Sequence, residues 1–270
     1  MATLSNEAEE LHRMCLQVNG FVKKSATVEA LANLFGVEPE SPEYFSFISA
    51  IRLRFKRFLD VVEKSVANER HRSNLRAAAM HLRSFTDNGY WQADWNATRT
   101  NVFTATHLMA LDMAGGGLSS VAPVVVLTED ERNSYVDQLY KALGEVEASD
   151  DFVAQMVSVS IRSAIRMIEL FDIFGSAAIS EKLFETHAIT KQAAEIAPKD
   201  RKASYASAAV IVGLVLNGLV NADGVFSAIE NFYTRANTAI EMLLLANPPS
   251  LKLLSPPTAE TPETPEDVEA

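Results

Sequence analysis

The feature that most constrains the fold is a long uncharged stretch in the C-terminal half of the chain. Ala203–Ala222, which contains SYASAAVIVGLVLNGLV, has no Asp, Glu, Lys or Arg. About 20 residues of this kind span a bilayer as a helix. The stretch is therefore either the central helix of a soluble bundle or a membrane segment, and the two structures allow different classes of function.

The composition of the stretch favours the soluble bundle. Its strongly apolar centre, Ala208–Leu216, is short for a span, and the flanking serine, asparagine and tyrosine lower the hydrophobicity. Small or polar residues recur every four positions, a spacing that lets a second helix approach closely. We expect a buried helix that packs through this seam, with a membrane seam as the alternative; its members are Ala209, Gly213 and Asn217.

The longest helical signal begins at Ser41 and Pro42. Serine suits a helix cap and proline suits the first turn. From there six apolar residues alternate steps of four and three, which is the heptad spacing of a packed or coiled-coil seam. The seam either pairs two copies of the chain or packs within one chain, and it consists of Tyr44, Ile48, Ile51, Phe55, Phe58 and Val62.

Other segments also have helical patterns. The apolar stripe Leu4–Val18 predicts an opening helix, and a helix over roughly Thr98–Ala114 is expected to stop at the three glycines that follow. Thr128 and Glu131 have the spacing of a capping box, which predicts a helix start. Val121–Leu127 is the one strand-like run, and without a comparable partner it is predicted to be a buried extended linker.

These patterns predict an all-α fold, a helical bundle with one long helix in its N-terminal half. We divide the chain into an N-terminal helical region with a long basic helix (1–118), a C-terminal helical bundle (119–246) and a tail (247–270). The last helix of the bundle is expected at about 225–246. The tail is rich in proline, threonine and glutamate, which predicts disorder.

The charge of the chain is unevenly distributed. The net charge is −11, yet nine bases stand against three acids between Arg52 and Arg83. Such a segment either binds an anionic partner such as nucleic acid or packs beside an acidic helix of the same chain, for which Glu129–Asp151 is a candidate. The candidate anion-binding residues are Arg52, Arg54, Lys56, Arg57, Arg70 and Arg72.

The single cysteine and the N-terminal sequence bear on the compartment. Cys15 has no second cysteine to pair with, which fits a reducing environment. The first residues show no apolar run behind a basic start, so no secretion signal is expected. We predict a cytoplasmic protein, with membrane association as the alternative.

One short motif suggests catalysis. In RAAAMH, Arg76 and His81 are separated by four residues, which resembles the Arg-x4–6-His motif of the HEPN ribonucleases. That resemblance implies proton transfer by His81 and phosphate stabilisation by Arg76, with RNA held by the basic segment. Ala77 replaces the polar residue usual after the arginine in that family, and residues five apart diverge on a helix.

A second resemblance covers Leu127–Leu183, which is similar to a helical module of uncharacterised bacterial proteins. It implies a bacterial source and an accessory or defence-type gene, but no reaction. Its markers are Leu127, Thr128, Glu131, Arg132, Asp150 and Gly175.

No histidine pair has the spacing of metal ligands, and the glycine triplet lacks the Lys-Ser/Thr of a phosphate loop. We therefore expect neither a metal nor a cofactor. The leading hypothesis is a non-catalytic interaction or scaffold protein whose partner is another protein or a second copy of the chain. The alternatives are a metal-independent HEPN-like ribonuclease and a membrane-acting effector that uses residues 203–222.

Overall fold

The computed structural model describes residues 3–65, 68–118, 123–147 and 151–223, and most of these residues are helical. The predicted all-α class and the long early helix are confirmed. Two short 3₁₀ turns, Ser84–Thr86 and Asn88–Tyr90, follow the fourth helix. The helices are α1 Glu7–Gly20, α2 Thr27–Phe35, α3 Pro42–Lys64, α4 Glu69–Arg83, α5 Trp95–Val102, α6 Ala105–Leu118, α7 Glu129–Glu147, α8 Phe152–Glu169, α9 Phe171–Ile196 and α10 Lys199–Asp223.

Two predicted helix starts have the expected caps. Ser41 Oγ accepts a hydrogen bond from the Tyr44 amide (3.1 Å), and Pro42 occupies the first position of α3. At α7 the capping box is reciprocal, because the Thr128 amide donates to Glu131 Oε2 (2.8 Å) and the Glu131 amide donates to Thr128 Oγ1 (3.3 Å). These bonds satisfy amide groups that have no partner inside the helix.

The strand-like run is a strand with a partner, so the prediction of an unpaired linker was wrong. Pro123–Val126 (β2) pairs antiparallel with Thr3–Asn6 (β1), and Thr3 lies opposite Val126. The first strand was predicted to be helix because its residues continue the apolar stripe of α1. Asn6 ends the strand by capping α1, and its side chain accepts from the amides of Ala8 and Glu9.

Two helix boundaries also differ from the sequence patterns. The helix expected over Thr98–Ala114 is divided into α5 and α6 at Phe103 and Thr104. The glycine triplet lies inside α6 instead of ending it. At Gly115 the absence of a side chain permits close packing, because an added Cβ would lie 2.7 Å from Cγ of Glu9.

The core lies around α3, which packs against α1, α4 and α9. All six residues of the predicted seam are buried within the single chain. Of the two alternatives for the seam, packing within the chain is therefore the one observed. Aromatic rings of three helices meet beside it, since the Phe47 ring lies 5.8 Å from that of Phe35 and 4.9 Å from that of Phe174.

The long uncharged stretch forms most of α10, which packs on α7 and α9. The buried face carries Tyr205, Ala208, Val212, Val215 and Leu219. The other face exposes Val210 and Leu214. By length and composition Lys199–Val220 is a candidate membrane span, with a mean hydropathy of 1.8.

Small residues let α10 approach its neighbours, as the seam predicts. An added Cβ at Gly213 would lie 3.2 Å from Nε2 of His187 on α9, and one at Gly218 would lie 2.8 Å from the Tyr135 hydroxyl on α7. Ala209 is buried, whereas Asn217 is exposed. Two members of the predicted seam therefore face the bundle and the third does not.

Contacts group the described residues up to Asp223 into one compact unit. Helices from both sides of the predicted division at residues 118 and 119 contact each other, as α1 and α3 do with α9. The division itself stays a prediction. The predicted helix at about 225–246 and the predicted disordered tail at 247–270 lie outside the described residues.

Candidate interaction surface

The exposed face of α8 carries a ridge of large apolar side chains. Phe152, Met156 and Val159 follow one another at steps of four and three and are 78%, 45% and 49% exposed. Residues at this spacing lie on one face of a helix. The opposite face of α8 is buried against α7 and α9 through Val157, Ile161, Ala164 and Ile168.

A groove of about 500 Å³ lies at the N-terminal end of the ridge. Its apolar wall consists of Phe152, Pro198 and Ile196, the last of which is 67% exposed at the end of α9. The Asp151 carboxylate in its wall caps α8 by accepting from the Ala154 amide (2.7 Å). The same carboxylate forms an ion pair with Arg201.

A second groove, of about 380 Å³, lies at the other end of the ridge. Val159 and Tyr140, the latter 52% exposed on α7, are part of its wall. Arg166 forms another part and also caps the C-terminus of α2, because its guanidinium donates to the carbonyls of Phe35 (2.6 Å) and Leu34 (3.1 Å). We call the ridge, together with the exposed apolar residues of the two groove walls, the α8 band. It consists of Ile196, Phe152, Met156, Val159 and Tyr140.

Charged side chains border both ends of the α8 band in ion pairs within the chain. At the N-terminal end Asp151 pairs with Arg201. Arg162 pairs with Glu147, and Arg166 pairs with Glu169 (2.9 Å). Exposed ion pairs of this kind are weak and exchange readily, so both ends stay accessible to charges of another molecule.

Most of the predicted anion-binding residues contact other groups of the chain. Arg52 donates to the Thr86 carbonyl (2.5 Å) and pairs with Asp87 (3.3 Å), and Arg57 pairs with Glu181. Lys56 and Arg72 pair with acids of their own helices, Asp60 and Glu69. Among the described residues no ion pair is found for Arg70. None of these acids belongs to α7, so the acidic helix suggested as an internal partner is not the one used.

Arg54 is buried, and its assignment to anion binding was wrong. Its Nη1 donates to the carbonyls of Asp172 (2.7 Å) and Ile173 (2.8 Å), and its Nη2 lies 3.4 Å from Oε2 of the buried Glu10. Desolvation lowers the pKa of Arg54, and the nearby Glu7 and Glu10 oppose that shift. The guanidinium therefore connects α1, α3 and α9 and cannot reach a ligand in solvent.

The arginine and histidine of the ribonuclease-like motif contact different neighbours. Arg76 Nε donates to Glu63 Oε1 (3.0 Å). His81 Nε2 lies 3.1 Å from the Asn101 carbonyl, and its ring stacks on that of His107 with 4.0 Å between centroids. No described contact joins Arg76 to His81. Among the described residues no group of three or more His, Cys, Asp or Glu could hold a metal ion.

Several markers of the bacterial module have structural contacts. Arg132 forms two hydrogen bonds with the Asp172 carboxylate (3.1 and 3.0 Å), and it also lies 4.7 Å from the centroid of the Phe171 ring. Gly175 has φ +72°, a conformation that favours glycine, and bends α9 near its start. Asp150 lies outside the described residues.

The α8 band was missed by sequence reasoning. The α8 sequence is apolar on two sides, because Val157 and Ile161 alternate with Met156 and Val159. A second apolar stripe on an otherwise amphipathic helix is the signal that could have indicated an interaction surface.

No known protein family, characterised protein or solved structure matches this chain.

Proposed function

We propose that this chain is a non-catalytic interaction protein that binds a protein partner through the α8 band. The observation that carries the proposal is that five large apolar side chains from α7, α8 and α9 are exposed on the ridge of α8 and in the walls of the grooves at its two ends. Single exposed apolar residues are ordinary on protein surfaces. A contiguous apolar patch with charged ends is typical of a binding surface.

The shape of the band suits a partner helix or loop. Phe152 projects from the start of α8 beside one groove, and Tyr140 stands beside the other. Aromatic side chains that enter pockets contribute most to the affinity of protein interfaces. The band therefore offers both projecting anchors and grooves that can accept anchors from a partner.

The charged groups around the grooves support binding rather than proton transfer. Asp151 pairs with Arg201, Glu147 with Arg162, and Glu169 with Arg166. Each carboxylate is thus paired with a guanidinium, which suits orientation of a charged partner more than acid–base chemistry.

Site-specific photo-crosslinking in the native host tests this proposal. A photo-reactive amino acid placed at Met156 should give a discrete adduct of the full chain, and the substitution Phe152→Glu should abolish that adduct. The matched control is the same amino acid at Met113, an exposed methionine of α6 that lies outside the band. Equal adducts at both positions, or an adduct at Met156 that survives Phe152→Glu, would contradict the proposal.

A membrane-acting protein is a second candidate, because one observation favours it. Lys199–Val220 is long and apolar enough to cross a bilayer, and Val210 and Leu214 are exposed on it. Its packing against α7 and α9 favours the soluble alternative. Fractionation of cells without detergent separates the two, since recovery of the chain with the membranes after a carbonate wash would support the second candidate.

A further inference from the structure

We propose that the stacked rings of His81 and His107 form an acid-sensitive clasp between α4 and the α5–α6 junction, residues 101–107. The clasp holds while at most one of the two rings is charged, and it releases the junction when both rings are protonated. This inference goes beyond the proposed function and does not depend on it, because the α8 band lies on α7, α8 and α9.

The two rings join segments of three helices. His81 lies in the last turn of α4 and His107 in the first turn of α6, with 4.0 Å between ring centroids and 28° between ring planes. His81 Nε2 lies 3.1 Å from the carbonyl oxygen of Asn101 at the end of α5, and it is the donor because a carbonyl oxygen only accepts. His107 Nδ1 lies 2.7 Å from Oγ1 of Thr104, the residue before α6. The pair therefore holds α4 against the ends of both other helices.

A second proton on the pair is unfavourable while the rings are stacked. Histidine side chains take up a proton below about pH 6.5, and two positive charges about 4 Å apart repel each other. Burial, together with the charge of His81, lowers the pKa of His107, so the folded chain favours a neutral His107 ring. A charged His107 would also lie at the positive end of the α6 dipole, in a first turn that contains no acidic residue.

The carboxylates on the elements around the pair do not neutralise it. Among the described residues, His81 is the charged group that acts on the pKa of His107. The carboxylates of α1, α3, α4, α6 and the turns beside them have other contacts: Glu9 with Gly115, Glu10 with Arg54, Asp112 with His12, Glu63 with Arg76, Glu69 with Arg72, Asp60 with Lys56, Asp87 with Arg52, and Asp94 with the amide of Ala97. The nearest bases in the sequence, Arg83 and Arg99, add positive charge only. Protonation of both rings is therefore opposed by charge on every side that the structure describes.

Release of the junction has a measurable consequence, because the junction covers part of the core. Phe103 is 5% exposed, and its ring lies 5.2 Å from that of Phe85 and 6.4 Å from that of Trp95. The Phe103 amide donates to the Arg99 carbonyl (2.9 Å). When the junction opens, backbone amides such as this one exchange with solvent.

Titration of the histidine rings by NMR of the full chain tests the coupling. His81→Gln keeps a side-chain donor for the Asn101 carbonyl but removes the charge, so His107 should bind its proton about fivefold or more tightly, as expected for the loss of a charge about 4 Å away. Where His81→Gln fails to fold, His81→Phe keeps a stacked ring and gives the same readout. A proton affinity of His107 that neither variant changes would overturn the inference.

Hydrogen exchange of the full chain tests the release. Between about pH 7.5 and about pH 5, peptides of the α5–α6 junction should lose protection by about fivefold or more, after correction for the intrinsic effect of pH on exchange. Protection should be equal at both pH values in His81→Gln and in His107→Gln. The matched control is His71→Gln, which changes an exposed histidine in the first turn of α4 and should behave as the wild type does.

Three results of the exchange experiment would contradict the clasp. They are equal protection of the junction at both pH values in the wild type, a loss at acid pH that persists in both glutamine variants, and a loss that extends to the core helix α3, which would show global unfolding. None of these results bears on crosslinking at Met156. The clasp and the proposed function therefore stand or fail separately.

Discussion

The apolar stripes of α3 and α8 have the same residue spacing, but one is buried and the other is exposed. The stripe of α3, from Tyr44 to Val62, is buried by α1, α4 and α9. The ridge of α8, from Phe152 to Val159, has the same steps of four and three but is exposed. The comparison teaches that helical periodicity identifies an apolar face but not what covers it.

An arginine of α3 is buried and an arginine of α8 is exposed, and substituting them should give the largest difference in stability. Arg54→Met on α3 leaves the buried Glu10 with only the partly exposed Arg13 as ion-pair partner, so the free energy of unfolding should fall by about 5 kcal/mol. Arg162→Met on α8 removes only an exposed pair and should change it by less than about 1 kcal/mol. Urea denaturation of both variants measures the difference; equal losses would show that Arg54 is solvated.

One phenylalanine from each stripe allows the buried and the exposed stripe to be compared by the same substitution. Phe55→Ala creates a cavity in the core and should reduce the free energy of unfolding by about 4 kcal/mol. Phe152→Ala removes an exposed ring and should change stability by about 0.5 kcal/mol or less. A large loss for Phe152→Ala would mean that the ridge is covered within the chain.

Two glycines extend the comparison of buried and exposed positions to the backbone. Gly175, next to Arg54, has φ +72° and ψ 161°, and an added Cβ would lie 3.0 Å from the Arg54 Cζ. Gly175→Ala should therefore destabilise the chain by about 2 kcal/mol. Gly144 lies in α7, and an added Cβ there meets nothing within 4 Å, so Gly144→Ala should stabilise by about 0.5–1 kcal/mol. Thermal unfolding of the two variants should shift in opposite directions.

The smallest expected effect is a dependence of stability on pH, which comes from two histidines of the fold and not from the ridge of α8. Burial, with the charge of His81, lowers the pKa of His107, and burial, with Lys191, lowers that of His187. Both histidines therefore stabilise the fold when the pH is above their ordinary pKa of about 6.5. This contribution is lost as the pH falls through their lower pKa values in the folded state. His107→Gln should flatten the dependence of stability on pH in that range, measured by urea titrations. Phe152, Met156 and Val159 carry no titrating group, so Phe152→Ala should leave the dependence of stability on pH unchanged.

Much of the fold was predictable because its signals are local. The caps at Ser41 and Thr128, the seam of α3 and the small residues of α10 follow from side-chain chemistry and helical spacing. The pairing of Thr3–Asn6 with Pro123–Val126 was not predictable in this way, because it joins segments that are far apart in the sequence.

The candidate surface was less predictable than the fold. Arg54 appeared in the sequence as one of a row of bases, and only its position between α1 and α9 shows that it is buried. The α8 band joins residues of three helices, so no single segment of the sequence contains it.

The sequence by itself determined the caps at which α3 and α7 begin, which faces are apolar and that the chain builds an all-α bundle, since these depend on interactions between residues within one or two turns. Only the tertiary structure decided which apolar faces are covered. That outcome depends on how many neighbouring helices surround each one: α3 is enclosed on its whole apolar face, whereas α8 has α7 and α9 on one side and its ridge on the other.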